Sequence, residues 1–154
     1  MNGYIHRQTD LTEILGLRHR VLREGFPLDD ARFDGDNDSS TLHMATYACD
    51  EQKSRTGPPL CCATFMDRMF MQKTRALQLR GMATEPAFQG KGLGKALLLS
   101  VIPEIVYLSG IRWFWCNARL SAVPFYEKLG WVCKTAVFEI PTVGPHRVML
   151  KIQE

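Results

Sequence analysis

The period of the apolar positions changes along the chain. Leu11, Ile14, Leu15, Val21 and Leu22 fall on one face of a helical repeat, which predicts an amphipathic helix. Asp10-Leu11-Thr12-Glu13 resembles a capping box at its start, and Gly25 and Pro27 end it. Residues 28–40 are polar and Asp-rich and predict a loop. Strands are expected over Leu42–Cys49, Leu60–Phe70 and Thr74–Ala83, with a turn across residues 50–59. A glycine-rich segment follows. After it comes an apolar helix from Leu93 to Ser109, with Gly110 as its C-terminal cap. Pro103 falls inside that helix, removes the bond to Leu99 and costs about 3 kcal/mol, so a kink or an early break is expected. Ile111–Asn117 reads as a strand. Ser121 is placed to cap a short helix ending at Lys128-Leu129-Gly130. Trp131–Ile140 and Arg147–Ile152 read as two closing strands. One helix, several strands, then alternating helix and strand predict an α/β chain of one domain over residues 1–154. Its sheet would be mixed, with helices packed on its faces.

Composition narrows the function classes. The net charge is only +3, from 19 basic and 16 acidic residues, and the basic residues form no run. That speaks against a nucleic-acid partner. No apolar stretch approaches the roughly 18 residues of a membrane span, and Met1–Arg7 lacks the apolar core of a signal peptide. A cytoplasmic location is therefore expected. The five cysteines, Cys49, Cys61, Cys62, Cys116 and Cys133, show no C-x-x-C pair. They suggest buried thiols, not disulfides or a zinc site. Asp34-Gly35-Asp36-Asn37-Asp38 mimics a calcium loop, but Ser39 and Ala45 stand where its Gly and Glu belong. No metal is expected.

The candidate chemistry lies in Gln89-Gly90-Lys91-Gly92-Leu93-Gly94-Lys95, between a predicted strand and a predicted helix. Glycines let a ligand approach the backbone, and a helix start offers unpaired N–H groups and the positive end of its dipole. Together they make an anion site suited to a pyrophosphate. Two nucleotide patterns fail here. The P-loop spacing puts Gln89 where glycine should be and Ala96 where Ser or Thr should hold magnesium. The dinucleotide pattern meets Lys95 or Leu97 at its third glycine.

The spacing that does fit is Gln-x-x-Gly-x-Gly, and the string Leu79 to Leu98 around it resembles the strand, pyrophosphate loop and helix of the GNAT acetyltransferase superfamily. A second block, Asn117-Ala118-Arg119 through Phe125-Tyr126 to Trp131, resembles that family's later motif. Looser similarity at Leu17–Leu22 and Gly144–Met149 suggests a bacterial ElaA-like branch.

The resemblance implies a mixed, mostly antiparallel sheet with helices on both faces, and acetyl-CoA as cosubstrate. It implies N-acetyl transfer by direct attack of a primary amine, borne by a small molecule or a peptide. A homodimer is compatible with it. The alternative is a silent domain that senses acyl-CoA. By resemblance, backbone groups of Met82, Ala83 and Thr84 pair with the pantetheine arm, and N–H groups of Gln89 through Lys95 hold the pyrophosphate. Asn117 donates to cofactor or substrate, and Tyr126 protonates the departing thiolate. The general base is not singled out. His43 and His146 lead, because imidazole titrates near neutral pH, and Glu85 is a third candidate. Cys116 invites an acyl-cysteine route, but strand alternation points it away from Asn117. The segment after the first helix walls the acceptor side in this family. Here it holds Glu24, Asp29, Asp30, Asp34, Asp36 and Asp38, so a cationic acceptor is expected.

Overall fold

The computed structural model describes residues 3–154. Strand β1 (Gly3–Thr9) leads into helix α1 (Leu11–Leu22). Strands β2 (Leu42–Cys49), β3 (Cys61–Asp67) and β4 (Leu77–Thr84) follow, then helix α2 (Leu93–Ser109) and strand β5 (Trp113–Arg119). A short helix α3 (Val123–Lys128) precedes β6 (Val132–Cys133), β7 (Phe138–Ile140) and β8 (Gly144–Ile152). The eight strands form one sheet in the order β1-β2-β3-β4-β5-β8-β6, with β7 also on β8. Among the described residues only the β4–β5 pair is parallel. The expected mixed, mostly antiparallel sheet is the one found.

The two sheet faces carry separate cores because strand side chains alternate. Phe65, Phe114, Cys116 and Met149 meet Leu97, Val101 and Ile105 of α2 on one face. Ala45, Tyr47 and Cys62 meet Ile14 and Leu17 of α1 on the other. Asp10 caps α1 by accepting from the Glu13 N–H at 3.1 Å. The capping box is only half formed, since the Glu13 carboxylate turns to Arg55 at 3.0 Å.

Several expectations are corrected. Helix α2 runs unbroken through Pro103. The carbonyl that loses its donor belongs to Leu99, which is exposed, so water can satisfy it. Ser121 does not cap α3 with its side chain; Ala122 holds that position after a 3-10 turn, Leu120–Ala122. The single strand expected over Trp131–Ile140 is two. Thr135 Oγ1 accepts the Val148 N–H at 3.0 Å, which puts a side chain where the ladder needs a carbonyl. Strand β1 was not anticipated. Tyr4, Arg7 and Gln8 face water and Ile5 is its one aliphatic side chain, so an edge strand leaves little alternation to read.

Candidate active site

Strands β4 and β5 pair at only two positions, Leu77 with Phe114 and Gln78 with Trp115. Beyond them the strands diverge. β4 stays tied to β3 as far as Thr84, and β5 to β8 as far as Arg119. The facing edges of Met82–Thr84 and Asn117–Arg119 therefore keep backbone groups without a sheet partner. A cavity of about 630 Å³ fills the gap.

One glycine helps open this gap from the α1 side. The β3–β4 register shifts between Cys62 and Thr64, and across from it Gly81 has φ +63. A Cβ there would meet Arg18 Nε at 2.7 Å and the Phe33 ring at 3.0 Å. Glycine thus permits both the bulge and the buried arginine behind it.

At the α2 end the cavity is closed by the glycine loop. Gly92 caps the helix with φ +80, and neither Gly90 nor Gly92 has any atom within 4 Å of where a Cβ would stand. The amides of Leu93, Gly94 and Lys95 belong to the first turn and have no intrahelical acceptor. Gln89 borders the cavity and also ties the loop down. Its N–H is directed to Pro86 O at 3.3 Å, and its side chain donates to Thr84 O at 3.1 Å, bracing loop against strand. Lys95 lines the cavity. Lys91 does not; its ammonium lies over the Phe88 ring at 5.1 Å.

Tyr126 stands in the cavity wall, packed between Phe125 and Trp131 with ring centroids 5.0 and 5.1 Å away. Burial raises its phenol well above the ordinary range, and the neighbouring Cys116 raises it further. A phenol in that position holds its proton and can give it up only to a strong local base. Burial also pushes the Cys116 thiol up to about 12. The thiolate an acyl-cysteine route needs is therefore absent at neutral pH.

The two candidate histidines part company. His146 lines the cavity. Its Nδ1 donates to the Gly144 carbonyl at 2.7 Å, so the neutral ring presents Nε2 as a lone pair. His43 does not reach the cavity. Its Nε2 donates to the Asp36 carbonyl and its Nδ1 accepts from Thr64 Oγ1, both at 2.9 Å. With both nitrogens engaged it has none to offer a substrate. Glu85 is likewise outside the cavity, bound to Arg20 at 2.6 Å. Met82, Ala83, Thr84, Gln89, Gly90, Gly92, Leu93, Gly94, Lys95, Asn117, Tyr126 and His146 all border the one cavity.

Several carboxylates of the acidic loop are paired within the protein. Asp36 is buried and takes a bidentate pair from Arg18, at 2.7 and 3.1 Å. Asp29 pairs with Arg32 at 3.2 Å, and Asp38 lies 4.0 Å from Arg68. The side chains that border the cavity from this direction are Arg23, Phe33, Arg80 and Arg119. No local pattern marked them. They come from the end of α1, the loop after it, β4 and β5.

Known proteins share this fold and part of this sequence. The GNAT acetyltransferase domain model matches residues 68–141, from the end of β3 to just past β7. An uncharacterized N-acetyltransferase of Bacillus subtilis (strain 168), YitI, is 28% identical over 137 residues, which cover 88% of this chain and 87% of that protein. The crystal structure of an acyl-CoA N-acyltransferase from Pseudomonas aeruginosa superposes with a TM-score of 0.74 at 19% identity, covering 98% of this chain and 99% of the other. Escherichia coli ElaA also gives 0.74, at 16% identity, over 98% and 99% of the two chains.

Proposed function

We propose that the chain, similar to the GNAT acetyltransferase domain over residues 68–141, moves an acetyl group from acetyl-CoA to a primary amine by direct attack. The observation that carries this reading is the unpaired gap between β4 and β5, which ends on the glycine loop and has Tyr126 in its wall.

The glycine-loop amides and Lys95 would hold the pyrophosphate, and the free edges of Met82–Thr84 and Asn117 the pantetheine amides. The loop geometry suits that ligand. A positive φ at Gly92 turns first-turn amides toward open space that any side chain would begin to fill. The amine nitrogen attacks the thioester carbonyl, and the carbon–sulfur bond breaks. His146 Nε2, directly or through a water, takes the proton the amine loses. The Tyr126 phenol gives its proton to the leaving sulfur, a charge otherwise stranded in an apolar wall. Asn117 and Arg119 alternate away from Cys116, and Arg119 pairs with His146 across β5 and β8. Base and acid thus work from opposite sides of the gap. A sensor without catalysis would have no use for this arrangement.

The test is a screen of primary amines with acetyl-CoA and the full chain, following free thiol and confirming the acetylated amine by mass. Thiol release that depends on an amine supports the reading. CoA binding with no amine-dependent release from any class of amine would defeat it.

A further inference from the structure

We propose that the amine acceptor carries a carboxylate, and that Arg23, Arg80 and Arg119 seat it at the end of the cavity opposite the glycine loop. This rests on the cavity being the amine-acetylation site and names the substrate class of that site.

All three arginines border the cavity. Arg23 ends α1, Arg80 lies on β4 and Arg119 ends β5. The Arg80 guanidinium lies over the Phe33 ring at 4.4 Å and that of Arg23 at 5.6 Å, so one aromatic floor orients both. Arg23 spends one donor on the Leu22 carbonyl at 2.9 Å. The guanidinium groups of Arg80 and Arg119 have no hydrogen bond or ion pair among the described residues. Of the neighbouring carboxylates, Asp36 pairs with Arg18 and Asp29 with Arg32, and Asp29 and Asp30 share a surface pocket with Arg23 and Arg119. Asp30 is the exposed carboxylate that acts on Arg23.

Arg23 and Arg80 are half-buried and Arg119 is exposed, and gathering like charges around the two half-buried ones is costly unless an anion completes the set. The cost is visible in Arg23, held below the usual arginine range by burial and then by Arg119 and Arg18. Arg80 is lowered by burial and then by Arg18. A planar guanidinium fork matches a carboxylate with two parallel bonds. Seated there, the acceptor would present its amine toward His146, the cross-strand partner of Arg119. A cationic acceptor, as the acidic loop suggested, would meet three positive charges instead.

The experiment uses the full chain with saturating acetyl-CoA and matched amines of one length. 4-Aminobutyrate, 4-aminobutanamide, 1,4-diaminobutane and 3-aminopropyl phosphate form one set, and α-amino acids with their amides a second. The carboxylates are expected to lead their amides by about tenfold or more in kcat/KM. Arg119→Gln should lower kcat/KM for carboxylates about tenfold and leave amides within about twofold, with Kd for CoA unchanged. The proposal is overturned if amide, diamine or phosphate is the best acceptor, or if Arg119→Gln slows every acceptor equally. It is also overturned if Arg119→Gln weakens CoA, which would assign the arginine to a cofactor phosphate. A second measurement needs no turnover: side-chain ¹⁵N spectra of the arginines in the CoA complex, titrated with glutarate against chloride at equal ionic strength. Glutarate-specific shifts that vanish in Arg119→Gln support the seat, even if no amine is acetylated and the transferase reading fails. Arginine signals that glutarate leaves unmoved sink the seat while the transferase reading stands.

Discussion

The two ends of the cavity are built from different materials. At the glycine end, Gln89 through Lys95 are consecutive, all but Lys91 border the cavity, and three of the seven are glycines with no side chain to offer. At the arginine end, residues 23, 33, 80 and 119 come from four elements and bring long side chains to the cavity border. A main-chain site depends on backbone conformation, so it tolerates many side chains and fails when a glycine is lost. A convergent side-chain site can be retuned by a single substitution without disturbing the fold. Recognition of a common cosubstrate suits the first kind, and choice of acceptor suits the second.

The sharpest break in that comparison is Gly92→Val. Gly92 sits at φ +80 with open space before it. A β-branched residue there costs about 1–2 kcal/mol in backbone strain, which the fold can survive, and fills the space the pyrophosphate needs. Several charge-assisted hydrogen bonds worth about 1.5–3 kcal/mol each lose their geometry together. Calorimetry should show CoA affinity lower by roughly 10³-fold, with the circular dichroism spectrum retained. Unchanged affinity in a folded variant would move the cofactor off this loop.

The same difference decides what could be read from the chain. The glycine end was legible because its residues are adjacent in sequence and the failure of rival spacings was countable. Helices α1 and α2 and the central strands were legible from their periods. The arginine end was not: each of its arginines is an isolated charge in the string, and the scattered basic residues suggested no patch at all. The pairing of the acidic loop was illegible for the matching reason. Its charge was countable, but its partners Arg18, Arg32 and Arg68 were not, since pairing is decided by tertiary contact. His43 was a fair candidate by type and lost its role only when Thr64 and Asp36 were found on its two nitrogens.

Tyr126→Phe tests the cavity wall. It removes one oxygen from a side chain held by Phe125 and Trp131, so the packing should persist. The loss should fall on kcat, by roughly 10²-fold, with CoA affinity intact. The pH dependence follows from the sign of the shift. Burial favours the neutral phenol in the fold and raises its pKa above the ordinary value. The stability this contributes is fully present below about pH 10, the unfolded phenol value, and is lost as pH rises beyond it. Between pH 7 and 9 the phenol stays protonated. The ratio of wild-type to variant kcat should therefore be flat across that range. A ratio that changes steeply there would assign the titration to a different acid.

The histidines offer a smaller and cleaner contrast. His146→Gln keeps a polar side chain in the cavity but removes the lone pair at Nε2. Turnover should fall by roughly tenfold near neutral pH, and the deficit should shrink in alkaline buffer, where the amine is already a free base. His43→Gln should leave turnover per folded molecule unchanged. It should lower stability by about 1–3 kcal/mol in urea unfolding, because it unsettles the buried bonds to Thr64 and Asp36. The reverse pattern, with His43→Gln the slower enzyme, would exchange the two assignments.

The smallest expected effect separates the loop's charge from the arginines' charge. Asp30 is exposed and acts on Arg23 by attraction, so it partly neutralises the seat proposed for the acceptor's carboxylate. If the loop drew in a cation, Asp30→Asn would raise the acceptor KM. If the arginines hold an anion, the same substitution removes a competing negative charge and lowers the KM. An exposed pair is worth about 0.2–1 kcal/mol, so the change should be about 1.5- to 5-fold. It should also fade with salt, since the Debye length falls from about 10 Å at 0.1 M to about 3 Å at 1 M. Asp29→Asn serves as the control of like charge change, because Asp29 already answers to Arg32. A KM that falls for Asp30→Asn at low salt, converges at high salt and stays near wild type for Asp29→Asn locates the field at Arg23. A KM that rises in both variants would return the acceptor side to the carboxylates.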